Sequence, residues 1–144
     1  MDTSTLGELP AWARTLLSTA RHGHLGLLDA EGGPRVLPVT FAVVGEEVLT
    51  AVDDKRKRVA GRDLARVRWL RRDPRAALTV DRYDDDWDRL AWVQLLGEVA
   101  VHDDVDAAAL RALQTRYAPY RERPPEGPLL RLRVRRALCW TAAS

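Results

Sequence analysis

Residues 21–52 read RHGHLGLLDAEGGPRVLPVTFAVVGEEVLTAV. His24 to Asp29 reads as a strand, and DAEGGP (29–34) supplies the Asp and Gly of a tight hairpin turn into a second strand, RVLPVTFAVV (35–44). A further short turn, GEE (45–47), leads into a third strand, VLTAV (48–52). Turns this short leave no room for a crossover helix, so the three strands are antiparallel neighbours.

Outward from this core the same grammar continues. On the N-terminal side, Leu9, Trp12, Ala13, Leu16, Leu17 and Ala20 fall at helical steps, with Pro10 tolerated in the first turn. This helix should cap the core. On the C-terminal side, Arg62 to Arg72 puts Leu64, Val67 and Leu70 on one helical stripe, which Pro74 ends. RAALTVD (75–81) is a fourth strand, RYDDDWDR (82–89) a polar loop, and LAWVQLLGEVAVH (90–102) a long fifth strand with a kink at Gly97. DDVDAAALRALQTRYA (103–118) opens with acids and forms a helix, PYRERPPEGP (119–128) is an irregular loop, and LLRLRVRRALCW (129–140) is the closing strand. Six strands in short hairpins with small helices between them describe an α+β domain built on a small antiparallel barrel. Parallel α/β folds are excluded by the scarcity of crossover helices and by the absence of a GxGxxG or GxxxxGK[ST] loop.

The chain of 144 residues is read as one domain, 1–144, and its 46% hydrophobic content suffices for a real core. Its 23 basic and 21 acidic side chains leave a net charge of +2, which argues against a polycation that coats nucleic acid. Cys139 is the single cysteine, which excludes an internal disulfide and suits a reducing compartment. The first twenty residues hold no long apolar run, so neither a signal peptide nor a membrane span is expected and the chain is read as cytoplasmic.

The charge is unevenly spread. Residues 50–75, TAVDDKRKRVAGRDLARVRWLRRDPR, hold ten Lys or Arg against four Asp. Lys55, Arg56, Lys57 and Arg58 follow directly on the third strand, and a run this dense at a strand exit suggests a fixed anionic partner such as a phosphate or a polycarboxylate. A solvated loop explains the charge alone equally well. Arg62, Arg66, Arg68 and Arg72 read as surface residues, some paired with acids such as Asp63 and Asp73 at no more than about 1 kcal/mol each. His22, His24 and His102 lack the spacing of a metal set, and Asp84, Asp85, Asp86 and Asp88 read as a solvated turn, so no metal is expected. No serine has a base near it in sequence and Cys139 sits within a strand, which disfavours a nucleophilic hydrolase.

RHGHLGLLDAEGGPRVLPVTFAV, VLTAVDDKRKR, LRRDPRAALTVDRYDDDW and AWVQLLGEVAV, in that order and spacing, resemble the split β-barrel superfamily of pyridoxamine 5'-phosphate oxidase-like proteins. AVDDK with its following basic residues and the later DRYDDDW resemble the actinobacterial branch that uses the deazaflavin coenzyme F420. The resemblance implies a homodimer with two cofactor sites across the interface. It implies that Leu37, Pro38 and Val39 lie along the ring system, that Thr50, Ala51 and Val52 line the strand beneath it, and that Lys55, Lys57 and Arg58, with Arg56 as neighbour, take the cofactor phosphate. The region from Trp87 to Trp92 is expected to close over the site from the partner chain, and Tyr83 is the candidate proton donor.

The implied chemistry is hydride transfer between reduced F420 and an electron-poor small-molecule acceptor, in which the cofactor performs the difficult step. FMN is the alternative cofactor, since it presents a phosphate to the same place. F420 adds a tail of carboxylates that arginines near Arg62 and Arg66 could meet. Vitamin B6 oxidation is disfavoured because the chain stops at RRALCWTAAS, without the Arg-Leu-His-Asp-Arg type segment that takes the substrate phosphate. The competing readings are an FMN-dependent reductase or oxidase on the same scaffold, a flavin- or haem-binding protein without turnover, and nucleic-acid binding through the basic segment, the last disfavoured because no aromatics interleave with the charges.

Overall fold

The computed structural model describes residues 1–52 and 64–143. Among these residues the strands are β1 Asp2–Thr3, β2 Gly23–Leu28, β3 Pro34–Val39, β4 Ala42–Val44, β5 Glu47–Ala51, β6 Arg75–Arg82, β7 Ala91–His102 and β8 Leu129–Thr141. The helices are α1 Ala11–Thr19, α2 Ala65–Arg72, α3 Ala107–Arg116 and α4 Ala118–Glu122. All pairings are antiparallel, in the order β3-β2-β6-β7-β8-β5-β4, with β1 added on β8. The strands at the two ends of this path, β3 and β4, are consecutive in the chain and separated by Thr40 and Phe41 alone. The sheet therefore curls until its ends meet, giving the α+β split barrel.

The hairpin β2–β3 forms where the turn residues place it. The Asp29 carboxylate accepts from the backbone amides of Glu31 at 3.1 Å and Gly33 at 2.8 Å, and Gly32 takes the positive φ of 77° that the turn requires. Along β2 the burial alternates, with Leu25 and Leu27 turned into the barrel, and on β6 and β7 the inward residues are Leu78, Val80, Ala91, Val93 and Leu95. Phe41 is wholly buried among them. Helix α1 lays Ala13, Leu16 and Leu17 on this core against β4, β6 and β7, as its apolar spacing requires. No helix among the described residues is long and apolar enough to cross a membrane.

Eight strands stand where six are expected, for two physical reasons. Residues 35–44 do not make one strand, because the backbone of Phe41 bonds to the Tyr117 hydroxyl and not to a neighbouring strand, which breaks the run into β3 and β4. Asp2 and Thr3 add a short strand to the outer part of β8, where the Arg136 guanidinium also holds Asp2 at 2.6 Å. The expected loop 119–128 begins as α4, whose first turn accepts Pro119. Asp73, expected beside an arginine of α2, instead holds Arg75 at 2.7 Å, and the bonds from Arg75 lower its carboxyl to about 2. Arg71 of α2 pairs with Asp103 at 2.9 Å.

The kink at Gly97 is a bulge: Leu96 faces Arg136 while Gly97 faces Val134, so Arg135 has no partner on β7. Arg135 and Arg136 are both exposed as a result, and the inward alternation resumes at Ala137. A Cβ at residue 97 would lie 1.8 Å from the Arg133 carbonyl oxygen. Gly97→Ala is expected to destabilise the fold by about 3 kcal/mol, read as a lowered denaturant midpoint; a loss below about 1 kcal/mol would show that the two longest strands do not depend on this close approach.

Candidate functional site

A cavity of about 230 Å³ opens where β3, β5, α2 and α4 converge. The end of β3 contributes Pro38 and Val39, followed by Thr40, and the end of β5 contributes Thr50 and Ala51, followed by Val52. The two strands reach the same place because the closed sheet brings its ends together. Val52 is fixed beyond the end of β5 by its amide, which donates to the Pro128 carbonyl at 2.9 Å. Arg66, on the first turn of α2, and Tyr120, on α4, complete the described wall.

The wall has few polar groups, each with a distinct environment. Thr40 Oγ1 and the Tyr120 hydroxyl lie 2.7 Å apart. Thr50 is only 8% exposed, and its hydroxyl has no hydrogen-bond partner among the described residues. It also borders a second void, of about 10 Å³, inside the barrel, where the other lining side chains, such as Phe41, Leu78 and Leu132, are apolar. That void is at the lower limit for a single water and offers it one hydroxyl, so the outer cavity is the place where Thr50 finds a partner. Arg66 is partly buried, and its guanidinium makes no hydrogen bond or ion pair with the described residues.

No carboxylate, histidine or cysteine lines the described wall. The groups whose acidity is shifted lie elsewhere and have structural partners. Asp2 is lowered chiefly by its bond from Arg136, Asp73 by Arg75, and Asp106 by the amide of Ala109, which it caps at the start of α3. Burial pushes the Cys139 thiol up, away from the thiolate that nucleophilic chemistry needs. Asp84 and Asp86 accept from the amides of Asp86 and Asp88, and Asp84 holds Arg89 at 3.2 Å, so these acids shape a turn. The wall is suited to holding a ligand, with an anion at Arg66 and a hydrogen-bonding edge at Thr50.

Of the residues singled out in the sequence, Pro38, Val39, Thr50, Ala51 and Val52 share this cavity. Leu37 lies next to it on β3 and packs on the barrel core. Lys55, Arg56, Lys57 and Arg58 lie outside the described residues. Tyr83, Trp87 and Trp92 do not line the described wall; they stand where β6 ends and β7 begins, at the far end of β8 from Leu129, the residue paired with Ala51. Sequence reasoning missed Thr40 and Tyr120 and treated Arg66 chiefly as a surface residue. A signal for Tyr120 exists in YAPY, where two tyrosines three residues apart share one side of a helical turn.

The model of the family described as pyridoxamine 5'-phosphate oxidase matches residues 9–141. The chain belongs to that family. No curated protein matches the chain. Among solved structures, the chain is similar to a conserved hypothetical protein from Mycobacterium tuberculosis, with TM-score 0.72 and 19% identity over 97% of this chain and 88% of the other. It is similar to an F420 reductase, with TM-score 0.61 and 22% identity over 92% of this chain and 98% of the other. It is also similar to a heme binding protein from Mycobacterium smegmatis, with TM-score 0.65 and 23% identity over 93% of this chain and 59% of the other. At these identities the likeness is one of fold.

The unpartnered hydroxyl yields a test that needs no ligand. Thr50→Val keeps the shape and removes a hydroxyl that opens on the cavity and bonds to no described residue, so stability should hold to within less than about 1 kcal/mol in a denaturant titration. A larger loss would mean that the hydroxyl is bonded within the fold and is not reserved for a ligand.

Proposed function

We propose that this chain is an F420-dependent oxidoreductase that passes a hydride between the reduced deazaflavin and an electron-poor organic acceptor. The observation that carries the reading is the convergence of the ends of β3 and β5 with Arg66, which makes no ion pair among the described residues, around one cavity. Its features fit a planar, phosphate-bearing cofactor: apolar faces at Val39 and Val52, a hydroxyl at Thr50 that lacks a partner, and one guanidinium without a counter-ion among the described residues. A deazaflavin, when bound, supplies the hydride. Arg66 donates charge-assisted bonds to the phosphate, which are roughly twice as strong as neutral ones, and Lys55, Lys57 and Arg58 add to the same clamp. Thr50 and the Thr40–Tyr120 pair orient the polar edge of the ring system, while Val39 and Val52 exclude water from its face. The absence of a carboxylate or histidine from the described wall agrees with a reaction whose difficult step needs no acid-base pair from the protein.

FMN is the alternative at the same site; the arginines that follow the basic run in the sequence, Arg62 and Arg66, are the groups to meet the carboxylate tail of F420, which favours the deazaflavin. Haem binding without turnover is the competing reading, supported by the likeness to a heme binding protein; no histidine stands on the described wall to ligate iron. The decisive comparison titrates the apoprotein with F420, FMN and haemin, then repeats the titration on Arg66→Ala and on Lys55→Ala/Lys57→Ala. F420 should bind tightest, and loss of a charge-assisted contact should weaken it by roughly tenfold or more in each variant. Preference for FMN would shift the cofactor assignment, and haemin alone binding would end the redox reading.

The working unit is a homodimer. Trp92 of β7 and Trp140 of β8 face each other across the ladder, 36% and 47% exposed, on a sheet face that also carries the exposed Val36. Two such faces pack together, and the partner's segment around Trp87 closes the cavity. Light scattering should give twice the chain mass, with Trp140→Arg shifting it to the monomer and weakening cofactor binding. A wild-type monomer at micromolar concentration, or a monomeric variant that binds cofactor normally, would contradict this arrangement.

A further inference from the structure

The corner that closes the barrel is held by a side chain. Phe41 lies between β3 and β4, and its amide donates to the Tyr117 hydroxyl at 3.1 Å. That hydroxyl faces two acceptors, the carbonyls of Phe41 at 3.1 Å and Arg21 at 3.0 Å, with a single proton to give. Tyr117 is 7% exposed and Phe41 wholly buried, so water offers no ready substitute. The ring is held from several sides: the Arg21 guanidinium lies over it at 4.8 Å, and Arg116 stacks over Phe41 at 4.8 Å while donating to the carbonyls of Leu17 and Ser18 at the end of α1, both at 3.0 Å.

This assembly reaches the cavity by two routes. Along the chain, Phe41 follows directly on Val39 and Thr40, both on the wall, with Thr40 its immediate neighbour. Through space, Tyr117 meets Tyr120 edge-on at 5.6 Å, and the Tyr120 hydroxyl is 2.7 Å from Thr40. We propose that Tyr117 is a positioning residue for this cavity: its hydroxyl fixes the Phe41 corner and so sets where Val39, Thr40 and Tyr120 stand around the ligand. Without the hydroxyl, the buried amide and carbonyl of Phe41 must find other partners, and the corner moves to do so. Small displacements of this kind are costly where a ligand must be held in one orientation. The identity of the ligand rests on the cofactor reading above; the placement of the corner does not.

The test compares Tyr117→Phe with Val93→Ala, a core truncation on β7 that does not line the cavity. Two quantities are read: the Kd for whichever of F420 or FMN the wild type binds, and backbone amide exchange over residues 39–42 without ligand. Tyr117→Phe should raise the Kd roughly tenfold and speed exchange over that stretch, whereas Val93→Ala should lower the Tm and leave both nearly unchanged. A Tyr117→Phe protein that loses Tm yet keeps the wild-type Kd would overturn the proposal, because that is what a purely structural clamp does. If the wild type binds neither cofactor, the functional reading fails and the exchange arm decides by itself, unchanged exchange overturning the proposal. Should Tyr117→Phe fail to fold, Phe41→Leu loosens the same corner from a position off the described cavity wall; a raised Kd with faster exchange over residues 39–42 supports the proposal and unchanged values overturn it.

Discussion

Two residues, Thr40 and Phe41, join the strands that lie at opposite ends of a seven-strand path. A link that short cannot span an open sheet, since even fully extended residues cover only about 3.5 Å each. Curvature is thus imposed by connectivity, and the bulge at Gly97 and Arg135 lets the two longest strands accommodate it. Everything at the cavity follows from this closure. The ends of β3 and β5 would be far apart in a flat sheet, and here Val39 and Thr50 line both the barrel interior and the outer cavity.

Most of this architecture is legible in the sequence, because it is written in local chemistry. The turn at 29–34, the alternation along β6 and β7 and the kink at Gly97 are each signalled by a few residues, and each has its expected structural outcome. The break between β3 and β4 is not local. Its cause is a tyrosine 76 positions away, and alternation through PVTFAVV carries no trace of it. The cavity divides in the same way. Its strand residues were reachable through the resemblance, whereas Tyr120 and Arg66 belong to helices whose docking is decided by tertiary contacts. Arg66 reads as surface because it belongs to an arginine-rich stretch, yet Val67 beside it is fully buried and draws the first turn of α2 against the barrel.

The distribution of charge separates structure from function. Arg131 is shared between Glu47 and Asp106, Arg135 pairs with Glu98, and Arg136 pairs with Asp2. The exposed pairs of Arg135 and Arg136 contribute little each. Arg66 differs in standing partly buried on a cavity wall with no ion pair among the described residues. Under the proposed function, an anionic ligand would meet Arg66 and turn a hydrogen-bonding edge toward the Thr50 hydroxyl.

The central claim is that this cavity holds a phosphate-bearing, planar redox cofactor. A crystal structure of the protein grown with F420 tests it most directly. The account predicts the ring system between Val39 and Thr50, with the phosphate within hydrogen-bond distance of Arg66. Cofactor bound at any other surface, with Arg66 turned to solvent and the Thr50 hydroxyl still without a partner, would contradict it.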